Sequence, residues 1–298
     1  RKYWRAKLSS RFCMVARGRI TLTFKLTMIT EPQTLNLQAE WVKDMKIGCS
    51  NHPRKPVLEE VEWIGRNKFD FLDLFLEEDQ ATPEKIDIEQ TKRLLQKYRL
   101  DIVGHTAWYL PIGSPVKAFR ETAVNEALRY FDVLGKLDAE FVTVHANWPI
   151  GLFSTREGIR FQVETLRMLV KEAERFDLKV MYEPTDTARD SVESVSTILE
   201  SVPGLFLHID IGHANLFGRK PEEFIVKFHK KLRHVHLHDN LKNLDLHLPI
   251  GCGDIDWEKT LKCLKKCYDG TITVEVFSKD RDYALLTKEK LARLWREI

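Results

Sequence analysis

The chain has 298 residues, 43% of them hydrophobic and 31% charged, with a formal net charge of +3. That apolar content supports one domain of roughly 250 residues or two smaller ones. No apolar run reaches the ~18 residues of a spanning helix, and 14 Gly, 11 Pro and no sustained heptad exclude collagen-like, low-complexity and coiled-coil classes.

Residues 1–44 carry nine Lys/Arg against three Asp/Glu, a net of +6, while the remainder carries 38 against 41, a net of −3. The larger part therefore offers no general attraction to nucleic acid or an anionic membrane. The Arg- and Thr-rich start has no acid before Glu31 and resembles a leader. The simpler expectation is a basic extension outside the core, ahead of a start at Met45. Five scattered Cys without a CxxC motif give no disulfide framework and suit a reducing, cytoplasmic setting.

From Met45 on, β-rich runs alternate with helical patterns. Strands are expected at 45–49, 69–76, 101–105, 140–145, 178–183, 205–210, 232–238 and 271–276. Helices are expected at 57–66, 87–98, 117–136, 155–176, 192–201, 221–231, 257–267 and 287–297. Segment 117–136 repeats apolar residues at the helical period through Ala123, Ala127, Phe131 and Leu134. Ser154 and Glu157 have capping-box spacing, and Pro221 suits a first helical turn. Eight βα units over ~250 residues predict a single-domain (β/α)8 barrel spanning 45–298. An open doubly wound sheet is the competing fold. The first turn, CSNHPRKP, has no GxGxxG and argues against a dinucleotide site.

The strand ends carry the chemistry. Strand 3 ends at His105, strand 4 at His145, strand 5 at Glu183 and strand 6 at Asp210, with His213 three residues on. Strand 7 carries His236, its following loop Asp245 and His247, and strand 8 carries Glu275. In a barrel these ends share one face. Five imidazoles and four carboxylates converging there suit a divalent ion such as Zn, Mn, Co or Mg. Burying the carboxylates together without cations would cost several kcal/mol, as an order of magnitude. His234, His236 and His238 share one strand face. His236 is expected at the mouth and His234 inside the barrel, with His238 open.

The motifs YEP (182–184), HIDIGHAN (208–215), HVHLHDN (234–240), DLHLPIGCGDIDW (245–257) and TVEVF (273–277) resemble the xylose-isomerase-like TIM-barrel superfamily. That group includes sugar and sugar-phosphate isomerases and epimerases, and endonuclease IV. The resemblance implies Glu183, Asp210, His236 and Glu275 as ligands of one ion. Glu183 and Glu275, well separated around the barrel mouth, are the expected catalytic proton-transfer pair. A metal-stabilised enediolate would then link ketose and aldose, or two epimers. The endonuclease IV branch carries a nine-residue set for three zinc ions. All nine positions have counterparts here, adding His105, His145, His213, Asp245 and His247.

Two functions therefore stand: a sugar or sugar-phosphate isomerase or epimerase, and a zinc phosphodiesterase acting on abasic DNA. The loop after strand 2 sets Glu77, Glu78 and Asp79 side by side, which would repel phosphates and favours the sugar. Trp108, Tyr109 and Trp148, with His213 and His247, are the expected substrate contacts. Trp108 and Tyr109 suit a sugar pocket but also a duplex wedge. Arg219, Lys220, Lys279 and Arg281 could meet a phosphate or simply lie solvated. No membrane partner is expected, and a homo-oligomer is allowed.

Overall fold

The computed structural model describes residues 45–298, so the extension expected over 1–44 lies outside the described residues. The described strands are β1 (Lys46–Ser50), β2 (Phe71–Leu76), β3 (Asp101–Thr106), β4 (Phe141–His145), β5 (Lys179–Glu183), β6 (Phe206–Asp210), β7 (Leu232–Leu237), β8 (Asp239–Leu241), β9 (Leu244–Leu248) and β10 (Thr271–Val274). Eight of them close into a parallel barrel in the order β1-β10-β7-β6-β5-β4-β3-β2. The remaining two, β8 and β9, form an antiparallel hairpin in the connection after β7. The eight barrel strands and the eight long helices fall where the alternating pattern predicts them.

Those helices are α1 (Val57–Arg66), α2 (Ile88–Tyr98), α3 (Lys117–Lys136), α4 (Thr155–Ala173), α5 (Val192–Ser201), α7 (Pro221–Phe228), α8 (Trp257–Lys265) and α9 (Asp282–Glu297), with the one-turn α6 (Ile211–Asn215) after β6. Helix starts follow their side chains. Asp87, Ser191 and Asp256 accept backbone N–H groups at the N-caps of α2, α5 and α8. The Ser154–Glu157 capping box forms as expected, and Pro221 opens α7. Helix α9 begins five residues before the expected start, because Asp282 and Tyr283 extend the same turn. The hairpin is the main departure. LDLHL alternates like a strand, but its Asp and His read as loop chemistry.

Period-two alternation divides every barrel strand. Outward residues such as Leu72, Val142, Val180, Leu207, Val235 and Ile272 are fully or almost fully buried against the helices. Inward residues form rows of rising polarity. Phe71, Val103 and Met181 make an apolar floor. Asp73, Thr143, His208, His234 and Thr273 lie above it, fully buried. His105, Glu183, Asp210, His236 and Glu275 make the next row. Gly48 leaves room for the floor, since a Cβ there would meet the Phe71 ring at 2.3 Å.

Candidate metal centre

Glu183 ends β5 and is the hub of the upper row. Its Oε2 lies 2.7 Å from His145 Nε2, 3.1 Å from His105 Nε2 and 3.3 Å from His208 Nδ1. Its Oε1 is buried without a hydrogen-bond partner among the described residues, 3.7 Å from His236 Nδ1. Asp210 ends β6 and caps α6. Its Oδ1 accepts the N–H groups of Gly212 at 2.7 Å and His213 at 3.1 Å. Its buried Oδ2 has no hydrogen-bond partner among the described residues. His236 Nδ1 lies 3.1 Å from Glu275 Oε2, and its Nε2 is 2.7 Å from Asp73 Oδ2.

Two donors held at about 2.0–2.2 Å by one zinc-like ion are at most ~4.4 Å apart. His236 stands within that span of both Glu183 and Glu275. Ligand atoms of Glu183, Asp210 and His213 lie mutually within 4.8 Å, as do those of Asp210, His238 and Glu275. Each of the four thus has two of the others as near neighbours, although no one group of ligand atoms mutually within 4.8 Å holds all four among the described residues. These buried His, Glu and Asp clusters are consistent with divalent-metal binding, and imidazole with carboxylate is a fitting donor set.

A second group adjoins the first. His213, His238, Asp245 and His247 also bring ligand atoms within 4.8 Å of one another. Asp245 Oδ2 lies 3.1 Å from His247 Nε2 and 3.4 Å from His213 Nε2. Asp245 and His247 are two apart on β9, so one face of the hairpin delivers both. His247 Nδ1 is 3.5 Å from Glu275 Oε2, which joins the groups. Gly212 makes the packing feasible: a Cβ there would meet the His238 ring at 1.9 Å.

Charge in the cluster is strongly biased. Burial pushes the Glu183 carboxyl up, yet the imidazoles of His145, His208 and His236 outweigh it and hold Glu183 well below the usual range. Asp210 is likewise held low against burial by His213 and His238. Burial depresses His236, but Glu275, Glu183 and Asp73 hold it well above its ordinary value. The same balance raises His213, through Asp210 and Asp245. It raises His247 to about 9, through Glu275 and Asp245. His145 and His208 fall instead, because desolvation wins there. Carboxylates fixed as anions favour an incoming cation, which would have to displace the imidazolium protons of any histidine it takes as ligand.

A cleft of about 860 Å³ opens over this cluster. Glu183, Glu275, His105 and His145 face it, with His213, Asp245 and His247 at one side. Asp210 and His236 lie beneath and do not line it. Trp63, Trp108 and Phe277 supply aromatic wall, and Phe277 stacks on His247 at a centroid distance of 4.0 Å. Trp108 is 59% exposed at the rim. Tyr109 and Trp148 stand outside the lining. The Tyr109 hydroxyl accepts the N–H of Glu78 at 3.3 Å, and the Trp148 indole N–H donates to Asp190 at 2.9 Å.

Arg219 spends its guanidinium on the carbonyls of Thr187, Asp190, His213 and Leu216. Arg281 pairs with Glu60 through two contacts of 2.8 and 3.0 Å, and Lys220 lies 3.9 Å from Glu223 at the surface. Lys279 lines the cleft, as does Glu77 of the acidic loop. His234 is inside the barrel, 3.1 Å from Asp73. Asp73, His208 and His238 belong to the network although sequence reasoning did not select them. Each was discoverable as a polar residue at an inward position of an apolar run, the signal that marked Glu275. Among the described residues, no helix is long and apolar enough to cross a membrane.

Comparison with known proteins agrees with the geometry. An uncharacterized protein of Methanocaldococcus jannaschii is 30% identical over 290 residues, covering 87% of this chain and 96% of that protein. The solved structure of a D-tagatose 3-epimerase-like protein matches with a TM-score of 0.78 at 28% identity, over 85% of this chain and 98% of that one. A D-allulose 3-epimerase from Methylomonas sp. shares the fold at 20% identity and a TM-score of 0.67, over 86% and 96%. The pattern of the family described as Xylose isomerase-like TIM barrel matches residues 61–297. The chain is therefore a member of the xylose isomerase-like TIM-barrel family.

Proposed function

We propose that this protein is a divalent-metal-dependent isomerase or epimerase of a sugar or sugar phosphate. One observation carries the reading. Four strands deliver Glu183, Asp210, His236 and Glu275 to one place under an open cleft, with Glu183 Oε1 and Asp210 Oδ2 buried and unpartnered among the described residues. Unsatisfied buried carboxylate oxygens are costly, and a cation is the partner that suits them. Those four residues would hold the ion. When bound, it would polarise a substrate carbonyl and acidify the adjacent C–H.

The chain's own groups move the proton. Only Glu183 and Glu275 of the four face the cleft, so of the ion's carboxylates they are the ones open to a substrate. Glu183 ends β5 and Glu275 directly follows β10, with β6 and β7 between those strands around the barrel. One can take a proton from a carbon and the other can deliver it from another direction. The imidazoles around Glu183 keep it anionic and ready to accept. Trp108 and Phe277 offer faces for sugar CH groups, while His213 and His247 can meet hydroxyls. The likeness to a D-tagatose 3-epimerase-like protein supports ketose chemistry.

The test combines metal analysis of purified protein with a screen of ketoses and their phosphates. One ion per chain and epimer or isomer formation are expected. A second reading has its own observation: the residues of the nine-position set stand in linked clusters, with His145 against Glu183 and His247 against Glu275. Three zinc ions per chain with cleavage of abasic DNA, and no sugar turnover, would establish that phosphodiesterase instead. Glu77 in the cleft disfavours a polyanion there.

A further inference from the structure

We infer that Asp73 on β2 is a positioning residue that dictates which nitrogen of His236 meets the ion; this rests on the metal reading above. Asp73 is fully buried in the row beneath the cluster. It does not line the cleft and cannot touch substrate. Its Oδ2 is 2.7 Å from His236 Nε2. The two ring nitrogens are therefore divided. Nε2 points down to Asp73 and carries the proton, because a carboxylate accepts and does not donate. Nδ1 points up, between Glu275 Oε2 at 3.1 Å and Glu183 Oε1 at 3.7 Å, and it is the proton facing Glu275, not the one held by Asp73, that an incoming ion would displace. Carboxylate partners of this kind set the tautomer, orientation and basicity of a ligating imidazole.

Asp73 is itself braced. The Thr273 hydroxyl donates to the same Oδ2 at 2.9 Å, and His234 Nε2 lies 3.1 Å away. His234 is held in turn through Nδ1, 2.6 Å from Thr271 Oγ1. These contacts radiate from one oxygen at hydrogen-bond lengths of 2.7–3.1 Å. Asp73, His234 and His236 are thus joined as a hydrogen-bonded support beneath the cluster. The support spans the barrel, because β1 and β10 stand between β2 and β7.

The experiment measures divalent-ion affinity by chelator competition, using Zn²⁺ and Co²⁺ on the full chain. Asp73→Ala is compared with wild type, with Asp73→Asn as the variant that preserves volume, and near-ultraviolet circular dichroism reports the fold. A loss of about 10- to 100-fold in affinity is expected for Asp73→Ala, with a smaller loss for Asp73→Asn and an altered visible spectrum of the Co²⁺ form. The same substitution is then made beside His236→Ala, where Glu183, Asp210 and Glu275 remain. With the imidazole gone, Asp73→Ala should cost no further affinity. An equal loss in both backgrounds reduces Asp73 to general structural support and overturns the inference. So does wild-type affinity in both Asp73 variants. A wild-type protein that binds no divalent ion removes the metal reading as well, which separates the two failures.

Discussion

The two halves of the candidate centre are built differently. Glu183 and Asp210 end their strands, His236 lies within β7, and Glu275 directly follows β10; all four are almost fully buried, fixed by the barrel's register. Asp245 and His247 come from a two-stranded hairpin, with side chains 20% and 12% exposed. A lone hairpin is marginal in water, so its hold must come from elsewhere. Asp239 supplies part of it. That buried carboxylate accepts N–H groups from Gly251 at 2.7 Å, Trp257 at 2.8 Å, Asn240 at 3.0 Å and Ile255 at 3.3 Å. Barrel register thus fixes one half, whereas the hairpin half is held by hydrogen bonds, those to Asp239 together with Asn240 Nδ2 to the Gly212 carbonyl at 2.7 Å and Phe277 N–H to the His247 carbonyl at 3.2 Å.

Substitutions can break this contrast. Glu183→Gln and Glu275→Gln should each lower kcat by roughly 10²–10⁴, the usual worth of a positioned acid or base. Near-normal turnover in both variants would remove the proton-transfer mechanism. Asp245→Ala should leave the count of tightly bound ions unchanged and raise KM. A drop in that count would show that the hairpin holds the ion too. Asp239→Ala leaves unmatched three donors on buried residues, Asn240, Ile255 and Trp257, and one on the exposed Gly251. It should cost about 3 kcal/mol in urea unfolding while leaving the barrel strands protected from hydrogen exchange.

Protons sharpen the comparison further. His247 has a folded value of about 9, above the ordinary ~6.5 of an unfolded chain. The folded state binds that proton more tightly, so its stabilisation is complete below about 6.5 and fades as pH rises toward about 9. Chelated protein should therefore melt lower at pH 9 than at pH 6.5. Ion binding runs the opposite way. His236, also raised, must give up a proton to ligate, so affinity should grow by up to about tenfold per pH unit for each proton released. Equal melting temperatures across that range in the chelated protein would contradict the charge pattern described. At the weak end, Ser154→Ala removes the α4 cap and should cost about 1 kcal/mol without altering ion affinity.

Much of the rim was legible in the chain because one signal is local. An acid or imidazole closing an apolar run, as in YEP or TVEVF, faces the mouth of any parallel barrel. Asp73 sits in FLDLFL and carries the same signal. It escaped notice because its partners lie 161 and 163 residues away. The hairpin escaped for a different reason, since a five-residue alternation with two charged positions resembles a loop.

Residue order alone determined the eight alternating units, their inward and outward faces and the row of acids and imidazoles at one end, because strand and helix periods are properties of neighbouring residues. Only barrel closure decided which of those groups touch. It set β2 three strands from β7 around the barrel, turned Asp73 onto His236 and folded the hairpin beside Glu275. Such pairings depend on strand order and register, which no local period records.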